Sequence, residues 1–176
     1  HLSALTSRLR FVTSVLVLPQ RATALVAKQL ATLDLLSGGR LAVAVGVGWN
    51  WAEYEGLGVE FAARTALLEE QIDVMRLLWS APLVTFSGRF HHLDRVGINP
   101  RPPAPLPLYI GSGAAEPVLR RVVRKADGWM PLLAPGLDRV DVATATRRLR
   151  EICEEEGRDP ASLPIHGRVY LGAGWQ

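Results

Sequence analysis

The sequence has little of several features that define whole classes of protein. Its single cysteine, Cys153, excludes an internal disulfide framework and a cysteine-rich zinc site. No apolar run approaches the roughly 18 residues of a membrane-spanning helix. The 20 Lys and Arg against 17 Asp and Glu are mostly scattered arginines, which gives little support for a nucleic-acid partner. We therefore predict a protein of a reducing compartment, the cytoplasm, with neither a membrane nor a nucleic-acid partner.

Short motifs that carry catalysis are also missing. There is no GxxxxGK[ST] phosphate loop, and neither Ser14 nor Ser112 stands in the GxSxG pattern of a nucleophile. His91, His92 and His166 lack the spacing of metal ligands, so we predict surface positions for them and no metal site. The acidic pairs and runs at 69–70 and 154–156 are expected on solvated helix faces. No general acid or base can be named.

What is present is a globular composition with an alternating pattern of elements. The chain has 176 residues, 48% of them hydrophobic, and this length predicts one domain, spanning 1–176. Apolar runs without alternation are typical of strands buried on both faces. The predicted strands are 9–18, 40–47, 108–110, 127–131 and 165–171, and the predicted helices are 22–36, 64–79, 116–125 and 137–156. This order predicts an α/β fold with a parallel sheet and helices outside it.

One segment, about 80–107, interrupts the alternation. It contains a predicted hairpin at 85–90 and then five prolines that favour an extended path. Because regular structure resumes directly afterwards, we interpret it as an insertion. About five β/α units are too few for a closed eight-unit barrel, which needs about 250 residues. The residues alone therefore leave open an open sheet or part of a barrel.

Two glycine clusters follow predicted strands. They are Gly46-Val47-Gly48-Trp49 and Gly111-Ser112-Gly113-Ala114-Ala115, the second just before a helix whose N–H groups could bind phosphate. Neither is a full dinucleotide fingerprint, because Trp51 and Glu116 occupy the third glycine positions. Glu116 also opposes an anion there unless its side chain points away. The aromatic cluster Trp49, Trp51 and Tyr54 fits core packing and stacking on a planar ligand about equally well.

Several segments together resemble the luciferase-like monooxygenase family. They are TSVLVLP (13–19), AKQLATLDLLSGGRL (27–41), VGVGW (45–49), RLLW (76–79), FSGRF (86–90), PRPPAPLPLYIGSG (100–113) and ADGWMP (126–131). They cover nearly the whole chain in the family's order, and ATLDLLSGGRL followed by GVGW is the most specific. The resemblance implies an incomplete TIM (β/α)8 barrel, roughly its strands three to seven.

The same resemblance implies a cofactor site. The family uses reduced flavin mononucleotide (FMN) or the deazaflavin coenzyme. Its deazaflavin members have a non-prolyl cis peptide behind the ring, which corresponds here to Ser14–Val15. Gly46 and Gly48 would edge the ring. The phosphate would rest on backbone N–H groups of Gly111, Ser112, Gly113 and Ala114.

These expectations lead to a flavin- or deazaflavin-dependent oxidoreductase, a monooxygenase or a dehydrogenase, that acts on a small organic substrate. Deazaflavin is favoured, since TSVLVLP and SGGRL…GVGW are closest to that branch. Trp49 stands where some deazaflavin dehydrogenases carry a catalytic Glu. One alternative is a Rossmann-like nucleotide-binding protein with Asp127 as the ribose acid, and another is a cofactor-free, inactive fragment. With strands one, two and eight absent, we expect the chain alone to be unstable, to aggregate or to form a homodimer through its open edges.

Overall fold

The computed structural model describes residues 1–131 and 141–167. Contacts divide the chain into two compact units, His1–Pro107 and Leu108–Gln176. The predicted insertion at 80–107 lies in the first unit. That the chain forms a single domain stays a prediction.

The sheet of the first unit is parallel. Strands β1 (Phe11–Val12) and β2 (Leu16–Val17) both pair in parallel with β3 (Leu41–Gly46). The predicted strand 9–18 is thus two short strands. Between them the Thr13 hydroxyl replaces the backbone ladder, because it donates to the Ala44 carbonyl at 2.7 Å and accepts from the Ala44 N–H at 2.8 Å. β3 is buried at nearly every position, as its lack of alternation predicts.

Four helices accompany these strands: α1 (Leu2–Leu5), α2 (Thr23–Ser37), α3 (Trp51–Gly56) and α4 (Arg64–Ser80). α2 and α4 match the predicted helices within one residue at each end. α2 ends at Gly38, whose φ of +69° is the left-handed conformation that glycine adopts most easily. α1 and α3 were not predicted.

The insertion contains the predicted hairpin. Strands β4 (Val84–Ser87) and β5 (His92–Val96) pair antiparallel, with a register shift between Val84 and Phe86. The proline-rich stretch that follows contains a cis Asn99–Pro100 bond. Leu106 is buried near its end, so this stretch also contributes an apolar side chain to a core.

The second unit repeats a β/α pattern. Strand β6 (Leu108–Ser112) leads to α5 (Glu116–Lys125), and β7 (Gly128–Pro131) pairs in parallel with β6. Helix α6 (Val142–Glu155) follows, and Ile165 then forms a parallel bridge with Trp129. The start of the predicted helix at 137–140 and the part of the last predicted strand at 168–171 lie outside the described residues.

Candidate functional site

The first group of predicted site residues lies on or next to the paired strands β2 and β3. Val17 lies opposite Gly46 in the parallel register. Directly before β2, the Ser14–Val15 peptide bond is cis, as the resemblance predicts. Gly46 therefore lies at the carboxyl end of β3, the end where barrel enzymes place their sites, whereas Ser14 and Val15 lie between β1 and β2.

The turn after β3 requires glycine at position 48. Its φ is +68°, and a Cβ there would lie 2.9 Å from Val17 Cγ1 and 3.6 Å from Tyr54 Cε2. Any side chain would therefore meet both an unfavourable backbone conformation and an occupied space. Gly48 is thus needed for the fold of this turn, independently of any ligand.

The loop beyond Gly48 is braced by polar contacts. The Asn50 side chain caps α3 by accepting from the Ala52 N–H at 3.2 Å, and it donates to Glu53 Oε1 at 3.1 Å. Gln20 Nε2 donates to Glu53 Oε2 at 2.9 Å, which ties the loop to the segment after β2. The Tyr54 hydroxyl donates to the Val47 carbonyl.

The three aromatic residues of this segment, Trp49, Trp51 and Tyr54, differ in burial. Tyr54 is fully buried and packs edge-on against Phe61, so it belongs to the core. Trp49 and Trp51 are 86% and 62% exposed. Core packing, one of the two interpretations open at the level of the sequence, therefore holds for Tyr54 and fails for the two indoles.

The second group of predicted site residues lies at the junction of β6 and α5. Gly111 is buried in the strand, and the Ser112 hydroxyl accepts from the indole N–H of Trp129 at 3.1 Å. Gly113 is exposed, and a Cβ there would have no heavy atom within 4 Å. α5 begins without a hydrogen bond from the side chain of its N-cap residue, Ala115. Open backbone thus leads into a helix N-terminus, the arrangement that favours an anion.

The carboxylate of Glu116, which would repel an anion at this site, is paired with two arginines. Its Oε1 accepts from Arg120 Nη2 at 2.7 Å and from Arg148 Nη2 at 2.6 Å, and its Oε2 accepts from Arg148 Nε at 2.8 Å. These bonds, that to Arg148 first, lower the pKa of Glu116 to about 2. Glu116 is therefore ionised but paired, and sequence reasoning could not see this because Arg148 lies on another helix.

Glu70 and His91 are less exposed than the sequence predicts. Glu70 was expected on a solvated helix face and His91 at the surface, yet their side chains are only 13% and 15% exposed. Glu70 accepts from the backbone N–H groups of Arg89, Phe90 and His91 at 2.7 to 2.8 Å. The hairpin insertion covers both side chains, and this tertiary contact is absent from local sequence.

Both ring nitrogens of His91 have a partner. Its Nδ1 lies 2.7 Å from Glu70 Oε1 and its Nε2 lies 2.6 Å from Thr23 Oγ1. An ionised carboxylate can only accept, so Nδ1 donates to Glu70. Gln71 Nε2 in turn donates to Thr23 Oγ1 at 3.1 Å. These contacts join the hairpin to the start of α2 and the middle of α4, and we interpret them as structural.

Asp127 has a structural role as well. Its Oδ2 accepts from the Leu108 N–H at 2.8 Å, and its own N–H donates to the Leu108 carbonyl at 2.7 Å. These bonds hold the starts of β6 and β7 together. The carboxylate is thus used by the fold, which contradicts its proposed role as the ribose acid of a Rossmann-like site.

Residues 1–131 and 141–167 contain neither a cluster of metal-binding side chains nor a membrane-spanning helix. No group of three or more His, Cys, Asp or Glu side chains is arranged to hold a metal ion. No helix in this part of the chain combines the length and the apolar character needed to cross a membrane.

Comparison with known proteins gives relatives that match most of this chain. An uncharacterized protein of Mycobacterium tuberculosis is 39% identical over 158 residues, which is 89% of this chain and 53% of that protein. Pyrimidine monooxygenase RutA of Allorhizobium ampelinum is 30% identical over 168 residues, which is 92% of this chain and 45% of RutA. The chain thus spans about half the length of these curated relatives.

Solved structures agree. An F420-dependent secondary alcohol dehydrogenase is 26% identical with a TM-score of 0.77, over 94% of this chain and 50% of that chain. Monooxygenase RslO1 from Streptomyces bottropensis is 25% identical with a TM-score of 0.81, over the same shares. The α/β fold predicted as an incomplete luciferase-like barrel is confirmed. The luciferase-like monooxygenase model matches residues 1–173, and the chain belongs to that family.

Proposed function

We propose that the chain contributes the cofactor-binding part of an oxidoreductase that uses a deazaflavin coenzyme or, as the second choice, reduced FMN. The family membership supports the reaction class. Deazaflavin is favoured because the F420-dependent alcohol dehydrogenase is among the similar structures and because TSVLVLP and GVGW resemble that branch. RutA and RslO1, both monooxygenases, are the relatives that keep FMN as the second choice.

The observation that carries this proposal is the open backbone from Gly113 to Ala115, between β6 and α5. Gly113 has free space where a Cβ would be, no side chain caps α5 from Ala115, and arginines pair the carboxylate of Glu116. The N–H groups of this segment therefore suit the phosphate that both candidate cofactors carry. A helix N-terminus stabilises an exposed negative charge by about 0.3–1 kcal/mol.

The residues of the first unit would accept the ring. Gly46 and Gly48 provide backbone without side chains at the end of β3, and Ser14–Val15 lies at the start of the neighbouring β2. The bound cofactor would supply hydride transfer if it is deazaflavin and oxygen activation if it is flavin. No residue of the chain is assigned as an acid or a base.

The substrate would be a small organic molecule, as in the family. We place the protein in the cytoplasm, since its one cysteine, Cys153, is buried and unpaired. Burial raises the pKa of that thiol, which makes it unreactive at neutral pH. For the chain by itself, instability, aggregation or a homodimer remains our expectation.

Spectroscopic titration tests the proposal. The purified chain is titrated separately with the deazaflavin coenzyme, FMN and NAD, and the absorbance spectrum and the dissociation constant are recorded. We expect saturable binding of the deazaflavin coenzyme, weaker binding of FMN and no binding of NAD. Binding of none of the three would support the cofactor-free alternative, and binding of NAD alone would overturn the family assignment of the site.

A further inference from the structure

The ion pairs of Glu116 extend into a network between α5 and α6. Besides Glu116, Arg148 donates to Glu151 at 3.0 Å and to Glu155 at 2.8 Å. Arg120 donates to Glu155 at 2.7 Å and to Glu156 at 3.3 Å. Each guanidinium is thus held from several sides, which fixes the position from which it contacts Glu116.

The charge at position 116 matters because of where this residue lies. Glu116 is the first residue of α5 and comes three residues after Gly113. An ionised carboxylate at a helix N-terminus interacts favourably with the helix dipole, so it competes with any other anion for the same N–H groups. Because its pKa is lowered to about 2, this carboxylate stays ionised at every pH at which the protein would work. Protonation therefore cannot remove the competition.

Arg148 removes this competition by binding the Glu116 carboxylate. The Arg148 guanidinium donates to both carboxylate oxygens of Glu116, from Nη2 to Oε1 at 2.6 Å and from Nε to Oε2 at 2.8 Å. Such a bidentate contact fixes the direction of the carboxylate as well as balancing its charge. The acceptor capacity of Glu116 is directed to α6 and to Arg120 on its own helix.

We propose that Arg148, together with Arg120, is a positioning residue for the phosphate of the cofactor. By holding the Glu116 carboxylate toward α6 and neutralising it, Arg148 leaves the exposed backbone after β6, at Gly113 and Ala114, available to an anion. It acts through Glu116 and not by contact with the ligand. This inference rests on the proposed function, since it requires a phosphate at 111–114.

The expected size of the effect follows from Coulomb's law. A carboxylate left wholly unpaired about 8 Å from a doubly charged phosphate in water-like surroundings would weaken binding by about fivefold at low ionic strength. Because Arg120 still pairs with Glu116 when Arg148 is replaced, that substitution alone should weaken binding by less than this. Salt screens charges over about 8–10 Å at physiological ionic strength, so the difference should shrink as salt is added. A ligand without the phosphate should be unaffected.

The experiment compares ligands with and without the phosphate, and FMN and riboflavin differ in nothing else. Dissociation constants of FMN and riboflavin, and of the deazaflavin coenzyme and its phosphate-free core, are measured for the wild type and for Arg148→Gln at low and high salt. Arg147→Gln is the matched control, because it removes the same charge from an exposed position of the same helix. The double variant Glu116→Gln with Arg148→Gln removes the repelling carboxylate together with its partner.

We expect Arg148→Gln to weaken binding of the phosphate-bearing ligands by up to about fivefold, with no change for the phosphate-free ligands or in Arg147→Gln. The double variant should regain the affinity of the wild type, which a merely structural role of Arg148 would not produce. Should Arg148→Gln fail to fold, Glu116→Gln alone decides the question, because it must bind FMN at least as tightly as the wild type.

Different results reject different claims. If the wild type prefers the phosphate-bearing ligands and Arg148→Gln keeps that preference, the role of Arg148 is wrong and the phosphate site stands. If the double variant stays as weak as Arg148→Gln, the repulsion by Glu116 is wrong. If the wild type shows no preference for the phosphate, the site at 111–114 is wrong, and both proposals fail.

Discussion

Replacing Gly48 by alanine tests whether steric crowding, in addition to the left-handed backbone conformation, requires glycine at this position. Gly48 and Gly58 have nearly the same φ, +68° and +67°, but only Gly48 has neighbours in the place of a Cβ. The left-handed conformation costs a non-glycine residue about 1–2 kcal/mol. Alanine regains about 0.4–1 kcal/mol because it restricts the unfolded chain. Gly58→Ala should therefore lower the free energy of unfolding by about 1 kcal/mol.

Gly48→Ala should cost more, because the new Cβ would lie 2.9 Å from Val17 Cγ1. Overpacking of this kind typically adds about 1–3 kcal/mol. The total of about 2–4 kcal/mol is measured by urea unfolding followed by circular dichroism, and it corresponds to a melting temperature lower by about 2–4 °C per kcal/mol. Shortening the neighbour in Gly48→Ala with Val17→Ala should recover part of the extra loss. Equal losses in Gly48→Ala and Gly58→Ala would refute the steric reasoning.

Three further predictions concern single side chains. Gly113→Val should change the free energy of unfolding by less than about 0.5 kcal/mol, since its Cβ enters open space. The same substitution should weaken cofactor binding at least about tenfold. A loss of stability large enough to explain the weaker binding would contradict the site. The pKa of Glu70 is lowered, because bonds from His91 and from three backbone N–H groups outweigh the effect of burial. Its stabilising contribution is thus present above about pH 5 and is lost as the pH falls further, so urea unfolding of Glu70→Gln should depend less on pH between 5 and 3 than that of the wild type. Trp49→Leu should shift the fluorescence emission to shorter wavelength and reduce quenching by acrylamide, because it removes a highly exposed indole; unchanged quenching would show that Trp49 is covered in solution.

Elements with strong local signals could be predicted from the sequence. α5 begins and ends where it was predicted, at Glu116 and Lys125, because Pro117 suits the first helical turn. β3 could be recognised from its unbroken apolar run. α3 was missed although a signal was present. Asn50 followed by Glu53 is the spacing of a capping box, and the two side chains do bond to each other.

Contacts between distant segments could not be predicted in this way. The environment of Glu70 depends on the hairpin tip about 20 residues later, and that of His91 depends on Thr23, 68 residues earlier. A pattern that places a glutamate on a helix face cannot say whether an insertion will fold over that face. The cis bond at Ser14–Val15 was expected only from resemblance to a family, since nothing in the composition or spacing of TSV indicates it.

Glu116 shows why the electrostatics of the candidate site in particular could not be derived from the sequence. Read locally, an acidic residue at the head of α5 argues against a bound phosphate. The conclusion reverses once Arg148 is placed beside it, and Arg148 lies 32 residues away on α6. The sign of an argument about charge therefore depends on a partner that only the packing of α5 against α6 supplies. For this site, the glycines indicate where an anion could bind, and the helix pair determines whether it is repelled.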